Sequence, residues 1–216
     1  MNKKKKYLIV SILLFIIAII YTILVKNVDL AIIGPNNSEV GFSRLNGIVH
    51  NIFNQNMTWY EITKYLGILP FLLVLYYGVI GLKQLVKEKS FFKVDKKIIA
   101  LGVFYICIGI TYIFFEKCII NYRPVLIDGE LEASFPSSHT LLAITICGSS
   151  LMISKYYINN EKIRKIVDIL SIVIMLAIVI GRIISGVHWA SDIIGGIIIS
   201  SFLLCSLKTA ISFIEE

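Results

Sequence analysis

Long apolar runs alternate with short polar segments along almost the whole chain. Six of these runs are long enough to cross a bilayer as helices, since a hydrocarbon core about 30 Å thick needs roughly 20 residues. They cover residues 7–24, 65–82, 98–115, 136–153, 166–184 and 193–214. An open strand cannot satisfy its backbone polar groups in lipid. The pattern therefore predicts an all-α protein, a bundle of six transmembrane helices that forms one domain over residues 1–216.

The first apolar run follows a basic segment, residues 1–6, as the apolar core of a signal peptide does. This run is about 18 residues long, however, which exceeds such a core, and no small-x-small cleavage site follows it. We therefore expect helix 7–24 to be retained in the protein. The long polar segment 26–63 that follows is expected to form a cap or a short interfacial helix.

Composition agrees with a lipid environment and explains the net charge. The chain is 57% hydrophobic and 16% charged, with a mean hydropathy of +0.83, whereas soluble domains carry about 25% charged residues. Fifteen of the 21 basic residues flank the same set of predicted helix ends, as cytoplasmic loops do. We therefore expect a multi-pass cell-membrane protein with both termini in the cytoplasm and no nucleic acid partner, although the net charge is +7.

The cysteines and one histidine carry no predicted chemistry. Cys107, Cys118, Cys147 and Cys205 form no C-x-x-C pair, and three of them lie inside apolar runs, where cysteine behaves as a small hydrophobic residue. His50 has no partner at metal-ligand spacing, so we interpret it as structural or solvent-exposed. The sequence predicts no disulfide, no metal site and no cofactor.

Arg182, His188 and Asp192 lie between the fifth and sixth predicted helices, at spacings of six and four. Ionisable residues at membrane depth are costly and indicate function. On a helix, His188 and Asp192 would share one face, where the carboxylate could orient the imidazole for nucleophilic attack. The planar fork of Arg182 suits phosphate oxygens. Alternatively, Arg182 marks a membrane boundary and Asp192 is the N-cap of the sixth helix.

A second polar segment, Pro136, Ser137, Ser138 and His139, opens the fourth predicted helix. Proline suits the first turn of a helix, and the free amides after it can bind an anion. Ser137 would add a hydroxyl and Ser138 a backbone N–H, while His139 could protonate a leaving group. A plain helix cap is the alternative, but it does not explain a histidine just inside an apolar helix.

A third segment, which contains Lys117, Arg123 and Pro124, follows the third predicted helix. Its two cations suit either phosphate binding or anchoring at the membrane interface. Together the three segments resemble the motifs K-x6-R-P, P-S-G-H and S-R-x5-H-x3-D of the type-2 phosphatidic acid phosphatases. Three positions depart from them: Ser138 replaces glycine, Gly181 stands where serine is common, and Lys117 lies one residue too close to Arg123, so that Glu116 occupies the strict position.

The resemblance implies a metal-free hydrolysis of a lipid phosphate or diphosphate in two steps. His188 would attack phosphorus to form a phosphohistidine, Asp192 would orient it, and His139 would protonate the leaving group and then activate water. Phosphate would be bound by Arg123, Arg182, Lys117, Ser137 and Ser138. These residues would lie at the extracytoplasmic ends of helices 3 to 6. The substrate would then be an outer-leaflet lipid such as a polyprenyl diphosphate (undecaprenyl diphosphate, for example), phosphatidic acid or phosphatidylglycerophosphate.

Two other functions would use the same residues. A vanadate-dependent haloperoxidase is disfavoured, because the enzymes of that kind that the motifs resemble are soluble. A catalytically silent lipid-binding or lipid-moving membrane protein is favoured by the shortened spacing at Lys117. It is disfavoured by the intact set of His139, His188 and Asp192. No sequence feature predicts an oligomeric state.

Overall fold

A computed structural model describes residues 2–215, and across these residues the chain forms eight α-helices. Two one-turn 3₁₀ helices, Pro35–Asn37 and Phe91–Lys93, and a two-stranded antiparallel sheet complete the secondary structure. The sheet pairs β1 (Ala31–Ile32) with β2 (Glu39–Val40). The helices are α1 (Lys3–Asn27), α2 (Ser43–Phe53), α3 (Met57–Leu66), α4 (Pro70–Glu88), α5 (Lys96–Lys117), α6 (Ser138–Tyr157), α7 (Glu161–Ile184) and α8 (Ala190–Ile214).

Each predicted apolar run overlaps one long helix, and the observed helices begin two to five residues away from the predicted starts. The run predicted to begin at residue 65 is divided, because α3 ends at Leu66 and α4 begins at Pro70. Proline suits that position, since the first turn of a helix does not use its backbone N–H groups. The run predicted from residue 136 becomes α6, which begins at Ser138 with Ser137 as its N-cap. A cis peptide bond joins Phe135 to Pro136.

Within residues 2–215, five helical segments are long and apolar enough to cross a membrane: α1, the segment Met57–Glu88 that joins α3 and α4, α5, α7 and α8. Large apolar side chains point outward along them, such as Leu13, Leu75, Ile106 and Ile169, each more than half exposed. A soluble monomer rarely exposes apolar surface of this extent. These helices therefore form a membrane bundle.

The helix α6 is absent from this set of five, because it is more polar than the other long helices. It is in contact with α4, α5, α7 and α8, and eleven of its residues are buried. Two of its buried hydroxyls are hydrogen-bonded to neighbouring helices: Ser150 Oγ lies 3.0 Å from Tyr77 Oη, and Ser149 Oγ lies 3.4 Å from Tyr105 Oη. A helix shielded from lipid in this way can carry such hydroxyls. Six crossings remain a prediction.

The polar segment 26–63 forms a cap over one end of the bundle, composed of the small sheet and the helices α2 and α3. Asn46 of α2 fixes this cap to the start of α8. Its Nδ2 donates to Gly41 O at 2.7 Å and to Ser191 Oγ at 2.9 Å, while its Oδ1 accepts from Ser191 N at 3.0 Å. The helix α3 packs along α7. A cap, one of the two forms expected for this segment, is thus present.

Candidate active site

Four helix ends meet beneath this cap: the carboxyl ends of α5 and α7 and the amino ends of α6 and α8. They share one end of the bundle because consecutive helices run in opposite directions. The loop 118–137 between α5 and α6 folds back on itself through the bridges Tyr122–Ala133 and Ile127–Glu130. Trp189 fastens this loop to the start of α8, since its Nε1 donates to Tyr122 O at 2.7 Å. All three sequence motifs contribute residues to this end.

His188 is joined to Asp192 through Ser134. The Ser134 hydroxyl donates to Asp192 Oδ2 at 2.5 Å and lies 3.1 Å from His188 Nδ1. The His188 and Asp192 side chains lie 3.8 Å apart at these same atoms, and both are fully buried. Because the proton of the Ser134 hydroxyl is directed to Asp192, its oxygen accepts the Nδ1–H of His188. This tautomer leaves Nε2 unprotonated.

The expectation that His188 and Asp192 share one helical face is wrong. His188 lies before α8, which begins at Ala190, and Asp192 is its third residue. Asp192 is also not the N-cap, which is Trp189; instead its Oδ2 accepts from Trp189 N at 2.9 Å. The turn that carries His188 depends on Gly186, whose φ is +62° and whose added Cβ would lie 1.9 Å from the Asn54 carbonyl oxygen. Only glycine fits there.

Arg123 faces the other ring nitrogen of His188. Its Nη1 lies 3.4 Å from His188 Nε2. The backbone of the loop holds it there, since Arg123 N donates to Glu132 O at 3.1 Å. The Arg123 side chain also pairs with Glu132, with 3.0 Å between Nε and Oε2, and Glu132 is partly exposed. One edge of the guanidinium is therefore held by a carboxylate, while the other points to the histidine.

Arg182, near the end of α7, is fully buried, and none of its three guanidinium nitrogens has a hydrogen-bond partner in the part of the chain described. The guanidinium instead lies against Tyr60 of α3, with 5.1 Å between Cζ and the ring centroid. A buried charge without hydrogen bonds is costly. Such a fork is suited to a phosphate, which accepts two parallel hydrogen bonds from it.

The start of α6 supplies further polar groups. Ser137 N donates to the backbone oxygen of Asp192 at 3.0 Å, which joins this turn to α8. The Ser137 hydroxyl and His139 Nδ1 are buried, and neither has a hydrogen-bond partner among residues 2–215. The N–H groups of the first helical turn have no intrahelical acceptor either. This turn therefore presents several donors of the kind that bind anions at helix amino ends.

A small cavity lies beside His188, lined on its polar side by Glu116, Arg123, Ser134, Ser138 and His188. Arg182, Ser137 and His139 are not among its lining residues. Lys117 does not line it: this side chain is exposed at the last residue of α5. Glu116, at the strict motif position, lines it instead. The role predicted for Lys117 in phosphate binding stays a prediction that the cavity lining does not support.

The environment of His188 favours its neutral form. Burial, followed by the positive charges of Arg123 and Arg182, holds the pKa of the His188 imidazole well below its ordinary value. His139 adds to this effect, so the charges at the four helix ends act on one another. A neutral imidazole with an unprotonated Nε2 is the nucleophilic form of histidine.

His50, on α2, lies beside the site but outside its polar cluster. It is half-buried, with its ring centroid 5.4 Å from that of Trp189. Burial lowers the pKa of His50, and a hydrogen bond to the Gly186 backbone opposes that effect. These contacts fit a structural role in holding the cap against the turn that carries His188.

Three residues of the site were given no role in the prediction from sequence. Ser134 and Glu116 line the cavity, and Tyr60 contacts Arg182 from the cap. Ser134 and Tyr60 lie outside the three motifs, and only the tertiary structure brings them to His188 and Arg182. Glu116 was visible as the residue at the strict lysine position.

A family model described as the PAP2 superfamily matches residues 98–214, which is more than half of the chain. The protein therefore belongs to the PAP2 superfamily, and the family predicted from the motifs is confirmed. The chain also resembles a solved structure described as the crystal structure of the first transmembrane PAP2 type phosphatidylglycerolphosphate phosphatase from Bacillus subtilis. That match has a TM-score of 0.59 at 21% identity, and it covers 92% of this chain and 94% of that chain.

At this level of identity the structural match shows a shared fold. The protein is thus a multi-pass membrane protein with the fold of the PAP2 membrane phosphatases, as its all-α apolar pattern predicts. The search of curated proteins found no significant match.

Proposed function

We propose that the protein is a membrane lipid phosphatase that transfers a phosphoryl group from a lipid phosphate or diphosphate to His188 and then to water. One observation carries the proposal: the Ser134–Asp192 pair takes up Nδ1 of His188, while Nε2 faces the guanidinium of Arg123 at 3.4 Å. A phosphate that takes over that guanidinium edge would have its phosphorus next to the lone pair of an unprotonated nitrogen. Positioning of this kind is a large part of phosphoryl-transfer catalysis.

In the first step, an N–P bond forms between His188 Nε2 and phosphorus, and the P–O bond to the leaving group breaks. Asp192, acting through Ser134, stabilises the imidazolium character that develops on His188. Arg123 and Arg182, with Ser137 and the amides that begin at Ser138, offset the negative charge on the transferring oxygens. The step is a group transfer, and nothing is oxidised or reduced in it.

His139 is assigned to the leaving group and to water. It donates a proton to the departing oxygen in the first step and accepts one from the attacking water in the second. The second step breaks the N–P bond, releases inorganic phosphate and returns His188 to its neutral form. The partly exposed imidazole of His139, at the first turn of α6, could exchange that proton with solvent.

The membrane orientation is part of the same proposal. The lysine-rich segments, such as residues 3–6 and 83–97, flank the end of the bundle opposite His188. Cytoplasmic segments are the ones enriched in lysine and arginine. With six crossings, both termini are cytoplasmic and the site opens at the outer leaflet, where polyprenyl diphosphates, phosphatidic acid and phosphatidylglycerophosphate are the candidate substrates.

A second function is favoured by one specific observation. Glu116 lines the cavity where the family motif has lysine, and Lys117 is exposed. A site with one cation fewer and one carboxylate more stabilises a transferring phosphoryl group less, which favours a protein that holds or moves a lipid phosphate without cleaving it.

Phosphate release by the purified protein in detergent micelles distinguishes the two functions. The panel is undecaprenyl diphosphate, phosphatidic acid and phosphatidylglycerophosphate, each tested with chelator and with His188→Ala as the inactive control. Release that persists in chelator, is lost in His188→Ala and leaves an acid-labile phosphohistidine on the wild type supports the phosphatase. Absence of release from all three lipids by folded protein overturns it in favour of the lipid-binding function.

A further inference from the structure

We propose that Lys64, on α3 of the cap, binds the phosphate that leaves when a lipid diphosphate is cleaved, and so makes the site prefer lipid diphosphates to lipid monophosphates. The proposal rests on the phosphatase function proposed above and names its substrate class. Lys64 lies outside all three motifs, and α3 is not part of the segment 98–214 matched by the family model.

The helix α3 packs closely against α7 next to the site. A Cβ added to Gly181 of α7 would lie 2.4 Å from Thr63 Cγ2 and 3.2 Å from Trp59 Cε3. Real Cβ atoms do not approach other atoms to 2.4 Å. Gly181 immediately precedes Arg182, so this contact places the side chains of α3 beside the buried guanidinium.

The carboxyl end of α3 lies over the imidazole of His139. A Cβ added to Gly67 would lie 2.8 Å from His139 Cδ2 and 3.3 Å from its Nε2. Lys64 is in the turn of helix immediately before Gly67, and its backbone oxygen lies 3.2 Å from the same added Cβ.

Lys64 and Arg182 share one aromatic ring. Lys64 Nζ lies 5.7 Å from the Tyr60 ring centroid, and Arg182 Cζ lies 5.1 Å from it. The ion pair of Lys64 with Glu61 is long, 3.6 Å, and both side chains are about half exposed. An exposed pair of this kind contributes little to stability. The ammonium can therefore exchange Glu61 for a phosphate at little cost.

Because Lys64 is near His139, we expect it to contact the leaving group of the substrate. In an in-line displacement the leaving oxygen lies opposite His188, next to the acid His139. From a monophosphate ester the leaving group is an alcohol, which is neutral once His139 has protonated it. From a diphosphate the bond to the terminal phosphorus breaks, and the leaving group is a lipid monophosphate, which remains an anion after protonation. A cation there stabilises only the second kind of leaving group.

The cavity beside Arg123 offers less of this stabilisation. Glu116 lines it, and Arg123 is already paired with Glu132. A second phosphate there would meet two carboxylates, whereas beside Lys64 it would meet one, Glu61, and like charges at close range repel. The distribution of charge therefore directs a second phosphate toward α3 and Lys64.

The test compares geranylgeranyl diphosphate with geranylgeranyl monophosphate, which differ only in the second phosphate. We expect the wild type to prefer the diphosphate in kcat/KM, and Lys64→Gln to reduce kcat/KM for it by roughly 10–100-fold, the factor of a lost charge-assisted hydrogen bond. The monophosphate should change by less than about threefold, and Lys64→Arg should restore the preference. Lys26→Gln removes a lysine from the exposed carboxyl end of α1, at the same end of the bundle, and serves as the matched control.

An equal loss on both substrates, or no loss on either, overturns the proposal while the phosphatase function stands. Binding separates the two ideas further, measured by calorimetry with a geranylgeranyl methylenediphosphonate that is not cleaved. Binding that Lys64→Gln weakens, in a protein that releases no phosphate, upholds the role of Lys64 and overturns the phosphatase function. Diphosphonate binding that is unchanged in Lys64→Gln overturns the role of Lys64.

Discussion

The hydroxyl of Ser134 connects His188 to Asp192: it lies 3.1 Å from His188 Nδ1 and donates to Asp192 Oδ2 at 2.5 Å. The carboxylate is 3.8 Å from the same ring nitrogen, too far for a direct hydrogen bond. The tautomer of His188 therefore depends on a serine that belongs to none of the three motifs. Ser134 is held in place from the loop, since its backbone N–H donates to Asn121 O at 2.9 Å.

Removal of this hydroxyl should slow the reaction without unfolding the protein. We expect Ser134→Ala to lower kcat for lipid phosphate hydrolysis by about 10–100-fold, less than the roughly 100–10,000-fold that a direct proton-transfer group contributes, with KM nearly unchanged. Asp192→Asn should cost more, because it also removes the negative charge. The measurement is steady-state phosphate release, with the Tm of each variant in detergent as the control. Wild-type kcat in Ser134→Ala would show that Asp192 orients His188 unaided.

The buried, neutral His188 should make the stability of the protein depend on pH. Its pKa in the folded state is held well below the ordinary value, chiefly by burial and then by Arg123. In the unfolded chain it titrates near pH 6.5. Below that pH the unfolded state binds a proton that the folded state does not, so stability falls as pH decreases from about 6.5 toward the folded pKa. Above pH 6.5 this contribution is constant.

The comparison is made between wild type and His188→Gln. We expect the Tm of the wild type in detergent to fall more steeply than that of His188→Gln between pH 7 and pH 5. The variant keeps an amide that can donate to Ser134 but cannot titrate. Parallel pH profiles of Tm for the two proteins would mean that the folded protein takes up the proton as readily as the unfolded chain does.

Much of the fold could be predicted from the sequence because membrane helices are specified locally. An apolar run of sufficient length becomes a helix whatever surrounds it, and α5 and α8 follow their predicted runs to within three residues at each end. The start of α4 was misjudged, because the apolar run continues through the break between Leu66 and Pro70. A helix break inside an apolar run changes neither the length of the run nor the distribution of basic residues, so neither pattern predicts it.

The site was predictable only where residues lie close in sequence. His188 and Asp192 could be paired from their spacing, but the serine between them comes from residue 134 and the aromatic ring on Arg182 from residue 60. The serine commonly found at position 181 is replaced by glycine for a reason that only the packing reveals, since Thr63 of α3 occupies the space of the missing Cβ. Contacts between distant segments leave no periodic signal.

Burial of Arg182 should lower the stability of the folded protein, and we expect the residue to be needed for phosphate binding. Its guanidinium is fully buried, and its hydrogen-bonding groups find no partner in residues 2–215. We expect Arg182→Met to raise Tm in phosphate-free buffer, because a buried charge without hydrogen bonds is replaced by an apolar side chain of similar length. The same variant should lose phosphate release. Arg44→Met, at a side chain 90% exposed, is the control and should leave both quantities nearly unchanged.

Anion binding gives the same prediction a second readout. A ligand bound only by the folded state stabilises it by about 2.7 kcal/mol at a concentration 100 times its Kd. Inorganic phosphate or vanadate should therefore raise the Tm of the wild type and fail to raise that of Arg182→Met. An equal rise in both proteins would place the anion elsewhere.

Glu116 and Lys117 are neighbours in the chain with opposite charges and different positions relative to the cavity. Both side chains are exposed, but Glu116 lines the cavity near Arg123, whereas Lys117 does not. We expect Glu116→Gln to tighten the binding of inorganic phosphate by roughly 3–10-fold, because it removes a carboxylate that repels the anion from the cavity. Lys117→Gln should change that binding by less than about twofold, as for other exposed charges. Competitive inhibition of lipid phosphate hydrolysis by inorganic phosphate measures both effects.

The double variant Glu116→Lys, Lys117→Glu exchanges the two charges and so restores the strict family spacing with no change in net charge. It should bind phosphate more tightly than either single variant, because the new lysine lines the cavity and the displaced carboxylate does not. A loss of phosphate binding of tenfold or more in Lys117→Gln, relative to the wild type, would instead show that Lys117 turns inward when an anion is bound. The spacing in this chain would then be a functional variant of the motif rather than the loss of one cation.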